Sequence, residues 1–257
     1  MCKNIFKSIL NFKFLFFNIA IFISISLLTK ATLVQFDENF INILDSILYT
    51  FNLAEDIGIS IDILKVLTIY IVIIYISIDY LYTYIDKIKY LSILRIQSIK
   101  KYIYDMFIYV YTIVFIYFFI GYIIIAIINS NFNLDFTYGL YKLIYNEANY
   151  IYSVLYNLLL NNFIVITIIN LTLIIFMYIK NFKLSYIYSL SIFIIGSLGV
   201  NKYIPGFFLY FYRNISINGT LMYGNLSICI LSSFITLVVA IYLLRKNKEF
   251  LLFDCDL

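Results

Sequence analysis

The sequence predicts an all-α membrane protein: one polytopic domain, residues 1–257, with six transmembrane helices and both termini in the cytoplasm. Apolar residues make up 64% of the chain, whereas soluble domains usually have about 45–50%. Mean hydropathy is +0.97, and the apolar residues come in blocks close to the roughly 20 residues that a helix needs to cross a bilayer. No polar stretch is long enough to form a separate soluble domain.

The first hydrophobic block covers about residues 14–29 and follows three lysines. It has the character of a signal peptide, but a small-residue cleavage pattern is poorly formed after it and more blocks follow. We therefore interpret it as a retained anchor. The five later blocks cover about residues 66–84, 106–128, 154–178, 184–200 and 226–244.

An acidic stretch, residues 30–62, connects the first two blocks. Its apolar residues come near helical spacing, which predicts a short amphipathic helix lying on the membrane surface. The residues that carry this pattern are Phe40, Ile43, Leu44, Ile47 and Leu48.

The basic residues predict the orientation, because cytoplasmic loops carry an excess of lysine and arginine. With six spans, the side that holds the termini collects 13 of the 18 basic residues and the other side collects 5. Both termini are therefore predicted to be cytoplasmic, and so is the connection between the second and third blocks.

That connection is a basic amphipathic segment. In a helix, Arg95, Ser98 and Lys101 follow one another at three-residue steps, Lys100 widens this polar side, and isoleucines gather opposite. Two interpretations stay open. The segment anchors the loop on anionic lipid headgroups, or it is a docking element through which a cytoplasmic partner moves the second and third spans.

Asp79 is an acidic residue inside the second block, one to two turns from its cytoplasmic end. A carboxylate at the bilayer centre costs about 2.5 kcal/mol or more, so we expect Asp79 to face the bundle interior or to pair with Lys87 or Arg95. A structural ion pair is favoured over a proton or substrate relay, because a relay usually needs several ionisable groups.

Polar residues also lie within the fourth block, at Asn162, Thr167 and Asn170. Thr167 and Asn170 share a helix face, and Asn162 lies further round it. We favour hydrogen bonds between helices, at roughly 1 kcal/mol each, over the lining of a transport path.

The predicted outer connection between the last two blocks contains a break. Pro205 and Gly206 interrupt any helix there, aromatic residues surround them, and Arg213 follows. This pattern predicts short re-entrant helices that dip into the outer leaflet; the alternative is an ordinary outer loop with an aromatic belt.

The sequence lacks residues or motifs that several classes of protein chemistry require. The chain has no histidine, which removes histidine-based metal sites, haem ligation and histidine bases. Its three cysteines lie far apart, and no GxxxxGK[ST] motif is present. We expect a protein that is not an enzyme, with no cofactor, no catalytic residue, no metal site and no nucleic-acid partner.

Three short motifs resemble one family. They are LRIQSIKKY at residues 94–102, YIPGFF at 203–208 with the downstream Arg213, and YLLRKNKEF at 242–250. Together with the layout of six spans, they resemble the permease subunits of type-2 ABC exporters, above all the small bacterial permeases of antimicrobial-peptide resistance and lantibiotic immunity. Ile99 and Asn247 interrupt the basic runs of the family pattern.

The resemblance implies a transport mechanism in the bacterial cytoplasmic membrane. A separate ABC ATPase subunit would supply the missing P-loop, and a second permease copy or paralogue would pair across the first and fifth spans. The substrate would be a peptide or an amphipathic molecule, such as an antimicrobial peptide. ATPase coupling would fall to Ile93, Arg95, Ser98, Lys100 and Lys101, and an outer gate to Pro205, Gly206 and Arg213.

Other functions stay open. A non-transporting immunity or accessory protein is the main alternative. A lipid-modifying enzyme would need clustered acids or a nucleophile, and a secondary transporter would usually show an internal repeat and buried ionisable groups. Neither pattern is evident.

Overall fold

The computed structural model describes residues 12–34, 41–52, 59–93, 99–132, 150–198, 201, 203–204, 206–209, 211–214 and 221–246. Regular structure in these ranges is helical, with no strand. The α-helices are α1 (Phe12–Leu33), α2 (Ile43–Phe51), α3 (Ile59–Ile93), α4 (Ile99–Ile128), α5 (Tyr150–Ile179), α6 (Phe182–Ser197) and α7 (Tyr223–Lys246). Two short 3-10 helices, Phe207–Leu209 and Phe211–Asn214, lie between α6 and α7.

Five of these helices are long and apolar enough to cross a membrane. Their apolar windows are Phe16–Leu33, Leu64–Ile85, Ile103–Ile128, Ile151–Ile179 and Tyr223–Lys246. The prediction of a multi-pass helical protein is therefore confirmed. Each of the six predicted blocks coincides with a helix, but α6 has 16 residues and is about 24 Å long, short of a hydrocarbon core of about 30 Å. A sixth span and cytoplasmic termini stay predictions, and both termini lie outside the described residues.

The chain divides into two compact units. The first consists of Met1–Tyr70, Ile116–Asn162 and Phe208–Ser227, and the second of Ile71–Phe115, Phe163–Phe207 and Ile228–Leu257. Segments of α3, α4, α5 and α7 belong to each unit, since the division falls inside these four helices.

Helix α2 is part of the core of the first unit. The predicted helix is confirmed, but its polar face does not meet water, because every residue of α2 except Leu44 is buried, including Asp45, Ser46 and Thr50. Its position on the membrane surface stays a prediction. Polar side chains of α2 find hydrogen-bond partners within the protein. Thr50 Oγ1 donates to the Ser46 carbonyl at 2.6 Å and lies within hydrogen-bond distance of Thr29 Oγ1 of α1, at 3.1 Å.

Both ends of α2 are satisfied within the first unit. At the N-terminus, Asn42 Oδ1 accepts from the Leu44 amide and Asp45 Oδ2 accepts from the Asn42 amide, each at 2.9 Å, which forms a capping box. At the C-terminus, three side chains donate to carbonyls of the last turn. Asn52 Nδ2 bonds Leu48 at 2.7 Å, Lys65 Nζ bonds Tyr49 at 3.1 Å, and Tyr70 OH bonds Phe51 at 3.4 Å.

Aromatic rings fill the space between α1, α2 and α4. Phe22 lies 4.8 Å from Tyr117 and 6.0 Å from Phe51, measured between ring centroids, and Phe51 stacks on Tyr122 at 4.4 Å. Gly121 lets Phe22 come this close to α4, because a Cβ atom at Gly121 would lie 2.5 Å from Cε1 and Cζ of the Phe22 ring. Phe22 is fully buried, so its ring has little room to move.

We expect Gly121→Ala to destabilise the protein by about 1–3 kcal/mol, since overpacking forces the ring or the backbone to shift. Gly224→Ala in α7 is the matched control, because nothing lies within 4 Å of a Cβ atom there. Thermal unfolding in detergent would measure both variants. Adding Phe22→Leu to Gly121→Ala should cost less than the two single losses together; equal losses for the two alanine variants would contradict the close packing.

Candidate functional site

The predicted coupling segment lies at the join of α3 and α4. Ile93 is the last residue of α3, and Lys100 and Lys101 are in the first turn of α4, where the structure describes the backbone but not their side chains. Arg95 and Ser98 lie outside the described residues. The amphipathic face of this segment is therefore still a prediction.

Helices α3 and α4 extend past the hydrophobic blocks predicted from the sequence, 66–84 and 106–128, toward this join. Residues 85–93 of α3 follow the first of these blocks, and residues 99–105 of α4 precede the second. At 1.5 Å per residue these extensions are about 14 Å and 10 Å long. The sequence places Lys87, Lys89, Arg95, Lys100 and Lys101 on the extensions and the five residues between them.

Tyr109 of α4 fixes the two helices to each other just inside these extensions. Its ring centroid lies 5.6 Å from that of Tyr80 and 5.4 Å from that of Tyr84, both on α3. Ile85 and Ile103, at the inner ends of the two windows, are also buried. Because α3 and α4 are packed here within the second unit, a force on their join would reach both helices.

Among the described residues, Asn170 is the one of the three predicted polar residues in α5 that bonds other helices. Its Oδ1 accepts from Tyr111 OH of α4 at 2.8 Å, and its Nδ2 donates to the Ser233 carbonyl at 3.2 Å and to Thr236 Oγ1 at 3.3 Å, both on α7. Asn170 therefore joins three helices of the second unit.

Thr167 and Asn162 bond their own helix. Thr167 Oγ1 donates to the Phe163 carbonyl, and Asn162 Nδ2 donates to the Leu158 carbonyl, each at 2.7 Å. The predicted helix-joining contact thus exists at Asn170, and a polar transport lining stays a prediction. Sequence analysis did not identify Tyr111 as a partner of Asn170, because the chain has so many tyrosines that a single one indicates no particular contact.

A buried polar cluster in the first unit was also missed. Asn157 and Asn161 are fully buried on α5, and the Nδ2 atoms of both donate to Tyr122 OH, at 3.1 and 3.3 Å. Their amide oxygens have no hydrogen-bond partner in the described part of the chain. The i, i+4 spacing of the two asparagines is the signal that could have found them. Such oxygens suit an ordered water molecule, which usually bridges buried polar groups of this kind.

The predicted outer break contains two 3-10 helices of three and four residues. Pro205 lies outside the described residues, and re-entrant helices stay a prediction. Gly206 has a φ of +100° and presses on α6, because a Cβ atom there would lie 2.6 Å from the Phe193 carbonyl oxygen. Gly206 and Arg213 belong to different compact units. In the first unit, Asn225 Nδ2 of α7 donates to the Arg213 carbonyl at 2.8 Å, which fixes the backbone there.

Asp79 lines an open cleft of about 560 Å³ within the second unit. It is exposed, so the expectation that it faces the bundle interior is wrong. Lys180 and Lys183, at the connection from α5 to α6, line the same cleft. The predicted partners of Asp79 are not tested, because Arg95 and the side chain of Lys87 lie outside the described residues.

Comparison with family models, curated proteins and solved structures gives no match.

We expect Asn170→Ala to cost about 1–2 kcal/mol of stability, since it removes bonds among three helices. Asn162→Ala is the matched control on the same helix. Its Nδ2 bonds only its own helix, and its Oδ1 is buried without a partner in the described part of the chain, so its removal should cost less than about 0.5 kcal/mol. Thermal unfolding in detergent would compare them, and equal losses would show that the Asn170 contacts contribute nothing particular.

Gly206→Ala should lower stability by about 2 kcal/mol or more, since it combines a left-handed φ with a clash against backbone. Gly224→Ala again serves as the control. The same unfolding experiment measures both, and a Gly206→Ala protein as stable as the control would refute the close approach to α6.

Proposed function

We propose that this protein is the membrane-spanning permease subunit of an ATP-driven ABC exporter. It works with a separate ATPase subunit and moves a peptide or amphipathic substrate out of the cell or membrane. The observation that carries this proposal is the pair of packed helices, α3 and α4, that extend past their predicted hydrophobic blocks toward a strongly basic join.

The geometry at the join suits the transmission of movement. A loop that only anchors the chain on lipid needs basic residues but no rigid extension. Here α3 remains helical to Ile93 and α4 is helical from Ile99, and Tyr109 of α4 packs against Tyr80 and Tyr84 of α3. A cytoplasmic partner that grips the join would therefore move both helices together. The partner has to bring the nucleotide site, since this sequence has no P-loop motif.

A second permease, identical or related, completes the proposed transporter. Helix α1 presents large apolar side chains outward, with Phe16, Phe17, Leu27 and Leu28 each more than half exposed. Helix α6 does the same with Ile187 and other residues. In a membrane such faces meet lipid or another protein, which supports pairing across these two helices. The outer gate would lie at residues 205–213.

The alternative function is a non-transporting immunity or accessory protein of the membrane. In that case the basic join is a topology signal that rests on anionic lipid, and no ATPase accompanies the chain. The two functions differ in one measurable property, the stable presence of a soluble subunit with a P-loop.

Affinity purification of the tagged protein from its native host, in mild detergent, tests the proposal. We expect an ATPase with a P-loop to co-purify in a fixed ratio. The double variant Arg95→Glu with Lys101→Glu should reduce the recovery of this ATPase about tenfold or more, since the two substitutions reverse charge on the coupling segment.

The matched control is Lys142→Glu with Lys202→Glu, the same charge change on the predicted outer side. It should leave recovery of the ATPase unchanged. If no ATPase accompanies the wild-type protein under conditions that preserve known permease complexes, the exporter proposal fails and the accessory role replaces it.

A further inference from the structure

The cleft that contains Asp79 has the size and lining of a ligand site. Its volume of about 560 Å³ falls within the range of about 300–1,000 Å³ usual for small-molecule pockets. All of its lining residues belong to the second unit. Half of the lining residues are aromatic, and three are charged: Asp79, Lys180 and Lys183.

One side of the cleft attracts anions. Lys180 follows the end of α5, and Lys183 lies in the first turn of α6. The N-terminus of α6 adds the positive end of its dipole to these two charges. A lysine in the first turn of a helix is electrostatically unfavourable by itself, and a bound anion would offset this repulsion.

Lys180 also adopts a backbone conformation that is costly for lysine. Its φ is +60°, in the left-handed region where glycine is favoured and other residues lose about 1–2 kcal/mol. The turn between α5 and α6 therefore has no conformational reason for a lysine at this position. Strain of this kind is often found where the side chain serves a ligand.

The other side of the cleft attracts a cation. Asp79 lies on α3 within the predicted hydrophobic block 66–84, five residues or about 8 Å before that block ends. A carboxylate within a membrane-spanning segment is costly without a positive partner, and a phosphate held by Lys180 and Lys183 would take up the positive charge of the cleft. Tyr75 and Tyr82 line the cleft beside it, and aromatic faces stabilise a nearby ammonium group.

The apolar part of the wall suits a hydrocarbon chain. Tyr75 is 58% exposed, Tyr186 packs edge-on against it at 5.9 Å, and Phe182 packs on Phe176 at 4.2 Å. A helix that crosses a membrane presents such exposed rings to lipid or protein. The cleft therefore combines an anion site, a cation site and an apolar wall.

We propose that this cleft binds a phospholipid whose headgroup carries both a phosphate and a primary ammonium. The phosphate is held by Lys180 and Lys183 at the predicted cytoplasmic interface. The ammonium turns inward and donates hydrogen bonds to Asp79, and an acyl chain lies along Tyr75 and Tyr186. A purely anionic lipid would satisfy the lysines but leave Asp79 repelled, whereas a phosphate with a primary ammonium provides a partner for all three groups. This site is independent of any ATPase.

Native mass spectrometry of the full-length protein in detergent tests this site. The probes are phosphatidylethanolamine, phosphatidylcholine and phosphatidylglycerol with identical acyl chains, added in equal amounts. We expect the wild type to retain phosphatidylethanolamine about tenfold better than the other two, which is the discrimination expected from one charge-assisted hydrogen bond.

The variants separate the two halves of the site. Asp79→Asn should remove the preference for phosphatidylethanolamine over phosphatidylcholine and raise the retention of phosphatidylglycerol, because the carboxylate no longer repels the anionic lipid. Lys183→Gln should lower the retention of all three lipids about tenfold. Lys180→Gly should also lower the retention of all three lipids, and it should do so without loss of thermal stability, because glycine adopts the left-handed φ at no steric cost. Lys246→Gln, at the end of α7 and outside the cleft, is the matched control and should change nothing.

Four outcomes would overturn the proposal. The wild type retains the three lipids equally, or Asp79→Asn keeps the preference. Lys246→Gln weakens retention as much as Lys183→Gln does, or soluble glycerophosphoethanolamine displaces the lipid at equal concentration, which would make the ligand a water-soluble molecule.

Discussion

The constraint on which this structure depends is the lack of water in the hydrocarbon core, where a backbone or side-chain polar group must find its partner inside the protein. Helix α2 shows how far this constraint is met. It is almost wholly buried, and the capping box at its N-terminus uses Asn42 and Asp45. Lys65 and Tyr70 of α3 donate to carbonyls of its last turn. A nine-residue helix is marginal by itself, so these partners and the surrounding rings hold it in place.

The same constraint explains why aromatic and amide side chains carry so much of the packing. Tyr117 OH donates to the Ile69 carbonyl at 3.0 Å, and Asn129 Nδ2 donates to Ser26 Oγ at 3.0 Å, so each joins two helices. A tyrosine fills volume with its ring and still brings a donor to a distant acceptor. Tyrosine and asparagine side chains therefore make structural contacts between helices in the first unit. In the second unit, Tyr111 and Asn170 make a contact of the same kind.

The sequence predicted the features that depend on length and apolar content, and these include the positions of the long helices. It did not predict the burial of the polar face of α2, because hydrophobic periodicity shows that a helix has two faces but not whether the polar face meets water or finds partners nearby. It marked Asn170 as polar but could not give its partners, since Tyr111 and Thr236 come from distant parts of the chain. The sequence marked Asp79 as a costly charge inside a hydrophobic block. It could not predict the cleft that Asp79 shares with Lys180 and Lys183, because this cleft depends on how α3 packs against the α5–α6 connection within the second unit.

Two charged residues of α3 show how function can be separated from structure in such a protein. Both lie inside its apolar window, and both are therefore costly. Lys65 is buried, donates to the Tyr49 carbonyl and lies 3.8 Å from the centre of the Tyr49 ring, so its charge stabilises the end of α2. Asp79 is exposed in a cleft with two lysines. A charge that a membrane protein satisfies internally contributes to its fold, whereas an exposed charge remains accessible to a ligand. By this argument the proposed lipid would meet Asp79 and not Lys65.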